Sequence, residues 1–147
     1  MLKKIGIFLG AFLAICLTLF VARLYFEAER SREVAPYDYV GLKCPKKPNC
    51  VSSLMPGEAY IAPFKSAKNL KEMAKILAEN GIEVTFLSDK RLHGVARSAL
   101  FGFYDDIDIL FDAKEGVFQV RSMSRVGYSD LSANRNRLEA LREKLRD

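Results

Sequence analysis

The chain has 147 residues, half of them apolar, with 23 Lys/Arg against 18 Asp/Glu and a formal net charge of +5. That length allows one domain of ordinary size, and one histidine and three cysteines restrict the imidazole or thiol chemistry it can host. From Val34 onward 18 basic residues stand against 15 acidic ones, and no basic stretch is interleaved with aromatics, so no nucleic-acid partner is expected.

The first element is the run from Ile5 to Ala22, which carries no charge. Roughly 17–25 apolar residues cross a bilayer core, so the run is long enough for a single transmembrane helix. A cleavable signal peptide competes with this reading, but its apolar part is about 7–15 residues and ends in small residues. Here the run exits through Arg23-Leu24-Tyr25-Phe26-Glu27, which favours an uncleaved anchor, with Cys16 as apolar filler. Lys3 and Lys4 before the span and Arg23, Arg30 and Arg32 after it give little orientation bias. Glu27 to Tyr39, with Pro36 as a helix stop, reads as a short stalk. Residues 1–33 are thus expected to form anchor and stalk, and residues 34–147 an extracytoplasmic domain.

Gly41 to Gly57 holds Pro45, Pro48 and Pro56 together with Cys44 and Cys50, and reads as an irregular, covalently pinned segment. A cysteine pair six positions apart between prolines suits a disulfide in an oxidising compartment; free thiols in a cytosolic loop are the alternative. Cys-x5-Cys is not a usual zinc spacing and His93 is remote, so neither metal nor cofactor is expected.

Glu58–Phe64 alternates briefly and predicts an edge strand stopped at Pro63. Ser66 is the candidate N-cap of a helix whose apolar positions are Leu70, Met73, Ala74 and Leu77, with Asn80-Gly81 as its stop. Ile82, Val84 and Phe86 have strand period, Ser88-Asp89-Lys90 is a turn, and Val95–Phe103 reads as the next strand. Ile107, Ile109 and Phe111 mark another strand. The loop Asp112–Gly116 then leads into a last one over Val117–Met123. Leu131, Leu138, Leu141 and Leu145 give the final helix one apolar stripe. The expected fold is α+β: an antiparallel sheet of four to five strands with two helices packed on one face, preceded by the transmembrane helix.

Candidate functional residues concentrate between Arg97 and Arg135. Asp105 and Asp106 would point to opposite faces of a strand, whereas in a turn after Gly102-Phe103-Tyr104 they are freer to act as a base or cation ligand, or to cap the turn and pair with arginine. In Arg121-Ser122-Met123-Ser124-Arg125 the two arginines share one strand face. They can clamp an anion or pair internally with Asp105, Asp106 or Asp130, joined by Arg97. Gly127-Tyr128-Ser129-Asp130 enters the last helix with Ser129 or Asp130 as N-cap. Asn134 and Arg135 in its first turns would strengthen an anion site there, although an ordinary i,i+4 pair with Glu139 also accounts for Arg135. His93, beside Gly94 at a turn–strand boundary, reads as a surface residue, and no serine-nucleophile elbow or phosphate-cradling glycine loop occurs.

Pro48-Asn49-Cys50-Val51-Ser52-Ser53, the Asp105-Asp106 pair after Phe101-Gly102-Phe103, and the stretch from Arg121-Ser122 to Asn134-Arg135 together resemble the bacterial and plastid domain of unknown function family 1499. The resemblance covers roughly Gly41 to Leu145. It implies a small secreted, lipid-anchored or membrane-anchored domain with no assigned reaction, so no catalytic residue is carried over. Where that family often has glycine after the Asp-Leu pair, this chain has Ser132. If that glycine permits a positive φ or a close ligand approach, the serine weakens the anion site.

The sequence is therefore expected to encode a domain anchored in the inner membrane and facing the periplasm or cell exterior, binding an anionic lipid or an envelope protein. Its ligand-binding candidates are Arg97, Asp105, Asp106, Arg121, Ser124, Arg125, Tyr128, Asn134 and Arg135. The alternatives are a hydrolase-like or metal-assisted enzyme using Asp105 or Asp106 with Arg121 and Tyr128, and a structural accessory subunit of a membrane complex.

Overall fold

The computed structural model describes residues 2–34, 42–99 and 101–146. Pro36 and Gly41, read above as a helix stop and a segment boundary, lie outside the described residues.

The chain runs α1 (Leu2–Glu33), β1 (Cys50–Ser52), a 3-10 turn (Gly57–Ala59), α2 (Leu70–Glu79), β2 (Glu83–Leu87), β3 (Arg91–Arg97), β4 (Tyr104–Asp112), β5 (Val117–Ser124) and α3 (Ala133–Leu145). The strands form one antiparallel sheet in the order β1-β5-β4-β3-β2, giving the expected α+β architecture with an apolar N-terminal helix.

Register fixes two faces. Leu92, Ile107, Ile109, Phe118 and Val120 lie on one pleat face and join Leu70, Met73 and Leu77 of α2 and Leu138, Leu141 and Leu145 of α3 in a single apolar core. The opposite face carries His93, Asp106, Asp108 and Arg121, all buried. Gly94 sits where the core face meets α2: a Cβ there would come within 2.8 Å of Ile82 Cγ2 and 3.3 Å of Leu77 Cδ2.

Several elements differ from the sequence reading. The edge strand is Cys50–Ser52, whereas Glu58–Phe64 holds the 3-10 turn and two isolated bridges, Ser52 to Tyr60 and Phe64 to Phe118. Asn69 caps α2 through a capping box with Glu72, because its side-chain oxygen reaches the free amides of Lys71 and Glu72. Ser66 instead accepts from Lys68 N and donates to the carbonyl of Leu145, tying the ends of α2 and α3 together. β3 begins at Arg91 rather than Val95 and ends at Arg97, so His93 is a mid-strand residue and not a surface one. Leu131 precedes α3 and is 90% exposed, outside the apolar stripe.

The first part of the segment read as a stalk, Glu27–Glu33, is the end of α1. At 1.5 Å per residue the 32-residue helix is about 48 Å long, so its last third extends beyond a bilayer core of about 30 Å. Ala28 and Ser31 in that extension are buried. Ser31 Oγ accepts a 3.0 Å hydrogen bond from the backbone N–H of Tyr104 at the start of β4, and the carbonyl of Arg32 accepts one from Arg125.

Candidate functional site

The site residues divide by pleat face. Asp105 and Asp106 lie inside β4 rather than in a turn, so their carboxylates point to opposite faces and cannot act on one atom.

On the face away from the core, three adjacent strands carry a ladder of charge. Asp108 Oδ2 accepts from Arg121 Nη2 at 2.7 Å and Nε at 3.1 Å, and Asp108 Oδ1 accepts from Arg91 Nη2 at 3.0 Å. Arg121 also donates to the carbonyl of Lys43. That residue adjoins the disulfide between Cys44 and Cys50, whose Cα atoms are 5.7 Å apart. The proline-flanked loop thus covers the fully buried arginine. The sequence leaves Arg121 open to an anion or to pairing with Asp105, Asp106 or Asp130; antiparallel register puts Asp108 directly opposite it.

One rung further along, Asp106 accepts from His93 Nε2 at 3.1 Å and from Arg125 Nη2 at 2.8 Å. An ionised carboxylate only accepts, so the imidazole carries a proton on Nε2, and its Nδ1 meets the hydroxyl of Thr85. Burial alone would push the Asp106 carboxyl up, but the hydrogen bonds and charges of His93 and Arg125 outweigh it and hold the group below its ordinary value of 3.8.

On the core face, Asp105 Oδ2 accepts from Arg137 Nη2 at 2.6 Å. Arg137 also donates to Asn134 Oδ1, which accepts from Ser122 Oγ as well. Asn134 Nδ2 donates to Ser124 Oγ and to the carbonyl of Asn49, while Asn49 Nδ2 reaches back to the carbonyl of Gly127. This network ties β5, the α3 entrance and the segment before β1 together. Asp105 Oδ1 and Asn49 Oδ1 are buried without a hydrogen-bond partner among the described residues.

The helix entrance is already occupied. Asp130 Oδ1 accepts from Ser132 N, Oδ2 from Asn134 N and the Asp130 carbonyl from Ala133 N, so Asp130 engages the amides at the α3 entrance. Ser132 itself has φ +67 and makes no side-chain cap, and Leu131 before it has φ +51. Tyr128 is 73% exposed. Arg135 donates to the carbonyl of Glu58, and Glu139 pairs with Arg142 instead of Arg135. Arg97 lies at the exposed end of β3 with its guanidinium stacked 4.9 Å over the Tyr104 ring.

The candidates therefore do not form one cluster. Asp106 meets Arg125, which shares the Tyr104 ring with Arg97; Asp105, Ser124 and Asn134 share the core-face network; Tyr128 and Arg135 stand apart from both. Asp108, His93, Arg137 and Asn49 are central to the geometry and were not chosen as candidates. A signal existed only for Asp108, a third acid two positions from Asp106 and on the same strand face.

The chain matches, over residues 42–145, the family described as "Protein of unknown function (DUF1499)". It belongs to that family. No curated protein and no solved structure matches the chain. The DUF1499 match begins at Leu42, next to the carbonyl that Arg121 engages, and ends at Leu145, whose carbonyl receives Ser66. It thus spans the whole sheet and both core helices while leaving α1 outside. Ser132 adopts the positive φ at which glycine is favoured, so its departure from the family pattern bears on backbone strain.

Proposed function

We propose that this DUF1499 chain is a non-enzymatic accessory module, anchored by α1 in the cytoplasmic membrane with its domain on the outer side, where it presents a rigid surface to an anionic ligand or an envelope protein. The observation that carries this reading is the insertion of Ser31 into the domain. The hydroxyl that accepts Tyr104 N is buried and lies nine residues beyond Ala22, about 13 Å further along the helix axis. Cleavage beyond Ser31 would take away a contact that completes the start of β4. The disulfide supports an oxidising compartment.

The closed ion pairs favour a scaffold over a reaction centre. Asp105, Asp106 and Asp108 each engage arginine, and Arg121 is fully buried, so the polar layer stiffens the sheet and these three carboxylates serve internal pairs. Partner contacts then fall to residues such as the exposed Arg97 and Tyr128 and the half-buried Arg135.

Protease added to spheroplasts, with and without permeabilisation, tests the placement. Cleavage of the domain in intact spheroplasts is expected, and alkaline carbonate should leave the protein in the membrane pellet. Protection until permeabilisation, or release by carbonate, contradicts the reading. Affinity capture from native membranes, read for co-purifying protein and lipid, then identifies the partner class.

A further inference from the structure

The end of α1 and the β3–β4 connection enclose a cleft of about 470 Å³, walled by Tyr25, Ala28 and Glu29 on one side and Arg97, Ser98 and Phe101 on the other. We propose that this cleft binds the headgroup of an anionic phospholipid, with its phosphate on Arg97 and the upper part of its acyl chains along Tyr25 and Phe101. The proposal rests on the reading that α1 remains in the bilayer.

Depth is the first argument. Tyr25 follows Ala22 by three residues, about 4.5 Å along the helix axis, which falls within the headgroup layer of roughly 5–7 Å that flanks the hydrocarbon core. Phe101 contacts Tyr25 edge-on at 5.9 Å between ring centroids, so the domain's loop reaches the same depth. Phe103 extends this aromatic wall, 6.3 Å from Phe101. Aromatic residues at this level are the usual membrane-interface anchors.

Charge is the second. Arg121 and Arg125 on the far sheet face and Arg137 on the core face are engaged by carboxylates, whereas Arg97 makes no ion pair among the described residues. It is nonetheless held in place. Its guanidinium stacks on Tyr104, and its Nη2 lies 3.0 Å from where a Cβ on Gly102 would stand, a position whose φ is +74. A pre-placed, exposed guanidinium suits bidentate phosphate recognition. Glu29 also faces the cleft, but Arg32 stands 3.6 Å from it and offsets its charge. A phosphate bracketed by an arginine, beside an apolar wall continuous with a membrane span, is the chemistry of a bound phospholipid.

The test uses the full chain extracted in mild detergent and read by native mass spectrometry after incubation with phosphatidylglycerol, phosphatidylcholine or inorganic phosphate. Wild type should retain phosphatidylglycerol over phosphatidylcholine, and R97A should bind it roughly tenfold more weakly, with R97K intermediate. R97A should melt like wild type, because the residue is exposed. Equal retention of both lipids, unchanged retention by R97A, or full displacement of the lipid by inorganic phosphate overturns the proposal. The chain has no tryptophan, so F101W in nanodiscs supplies a second reading. Quenching by a headgroup-attached spin label is expected, and quenching only by a water-soluble quencher is contrary. The intact mass of the same sample separates the two failures: a chain lacking residues 1–22 removes the anchor reading, whereas a complete chain without lipid preference removes only the headgroup site.

Discussion

Arg121 and Asp108 face each other across β5 and β4 at 2.7 Å, and neither side chain has any exposure to solvent. Arg91 donates to the other carboxylate oxygen of Asp108, and the carbonyl of Lys43 accepts from the Arg121 guanidinium. Taking such charges out of water is costly, and their mutual attraction offsets that cost only while every partner is present. The pair therefore adds little net stability when intact and costs much when broken.

Removing one partner should expose that asymmetry. Arg121→Ala leaves Asp108 with Arg91 alone and Asp108→Ala removes the carboxylate that Arg121 meets, and each is expected to cost about 3–5 kcal/mol, lowering the melting temperature by roughly 10 °C or more. Arg146→Ala breaks an ion pair with Glu143 whose side chains are both 62% exposed, and should leave the melting temperature unchanged. Thermal unfolding followed by circular dichroism distinguishes them; equal effects of Arg121→Ala and Arg146→Ala would contradict the buried pairing.

Asp106 sets the acid limb of stability. Its folded-state carboxyl titrates below the ordinary 3.8, so its contribution is fully present above that value and is lost as pH falls through the lower, folded-state value. Denaturant unfolding of wild type should lose stability below about pH 4. Asp106→Asn should start less stable at neutral pH and decline less steeply with acid. A variant whose curve parallels wild type throughout would show that Asp106 is not held below its ordinary value.

At Ser132 the strain is in the backbone. A non-glycine residue in the left-handed region costs about 1–2 kcal/mol, partly offset on substitution by the greater freedom of glycine in the unfolded chain. Ser132→Gly should raise stability by about 0.5–1 kcal/mol, while Ser132→Ala should be neutral because the hydroxyl makes no cap. A stabilising alanine would place the effect in the side chain instead.

Local features were legible in the sequence. Charge-free length marked α1, helical spacing marked α2, Asp112–Gly116 marked the β4–β5 turn, and prolines around Cys44 and Cys50 marked the disulfide. What escaped depended on register between strands. Two-residue spacing put Arg121 and Arg125 on one face but could not say which acid stood opposite, and that choice of Asp108 follows from how β4 lies against β5. His93 lies between Leu92 and Gly94 with no periodic signal of its own, and its burial goes with the approach of Asp106 from β4 and Thr85 from β2. Arg137 lies on a helix rich in arginine, and nothing in its spacing separates it from Arg135 or Arg142. The charged run after Phe26 reads as a stalk, yet α1 continues to Glu33 with Ala28 and Ser31 buried.

The central claim is that α1 stays attached and that its exit turn is part of the folded domain. Intact-mass spectrometry of the protein purified from membranes, paired with the melting temperature of Ser31→Leu, tests it most directly. The account predicts a mass that includes residues 1–22. It also predicts a destabilised Ser31→Leu variant, because that substitution removes the acceptor of Tyr104 N and forces a larger side chain into a fully buried position. A new N-terminus between Ala22 and Pro36, with Ser31→Leu as stable as wild type, would contradict it.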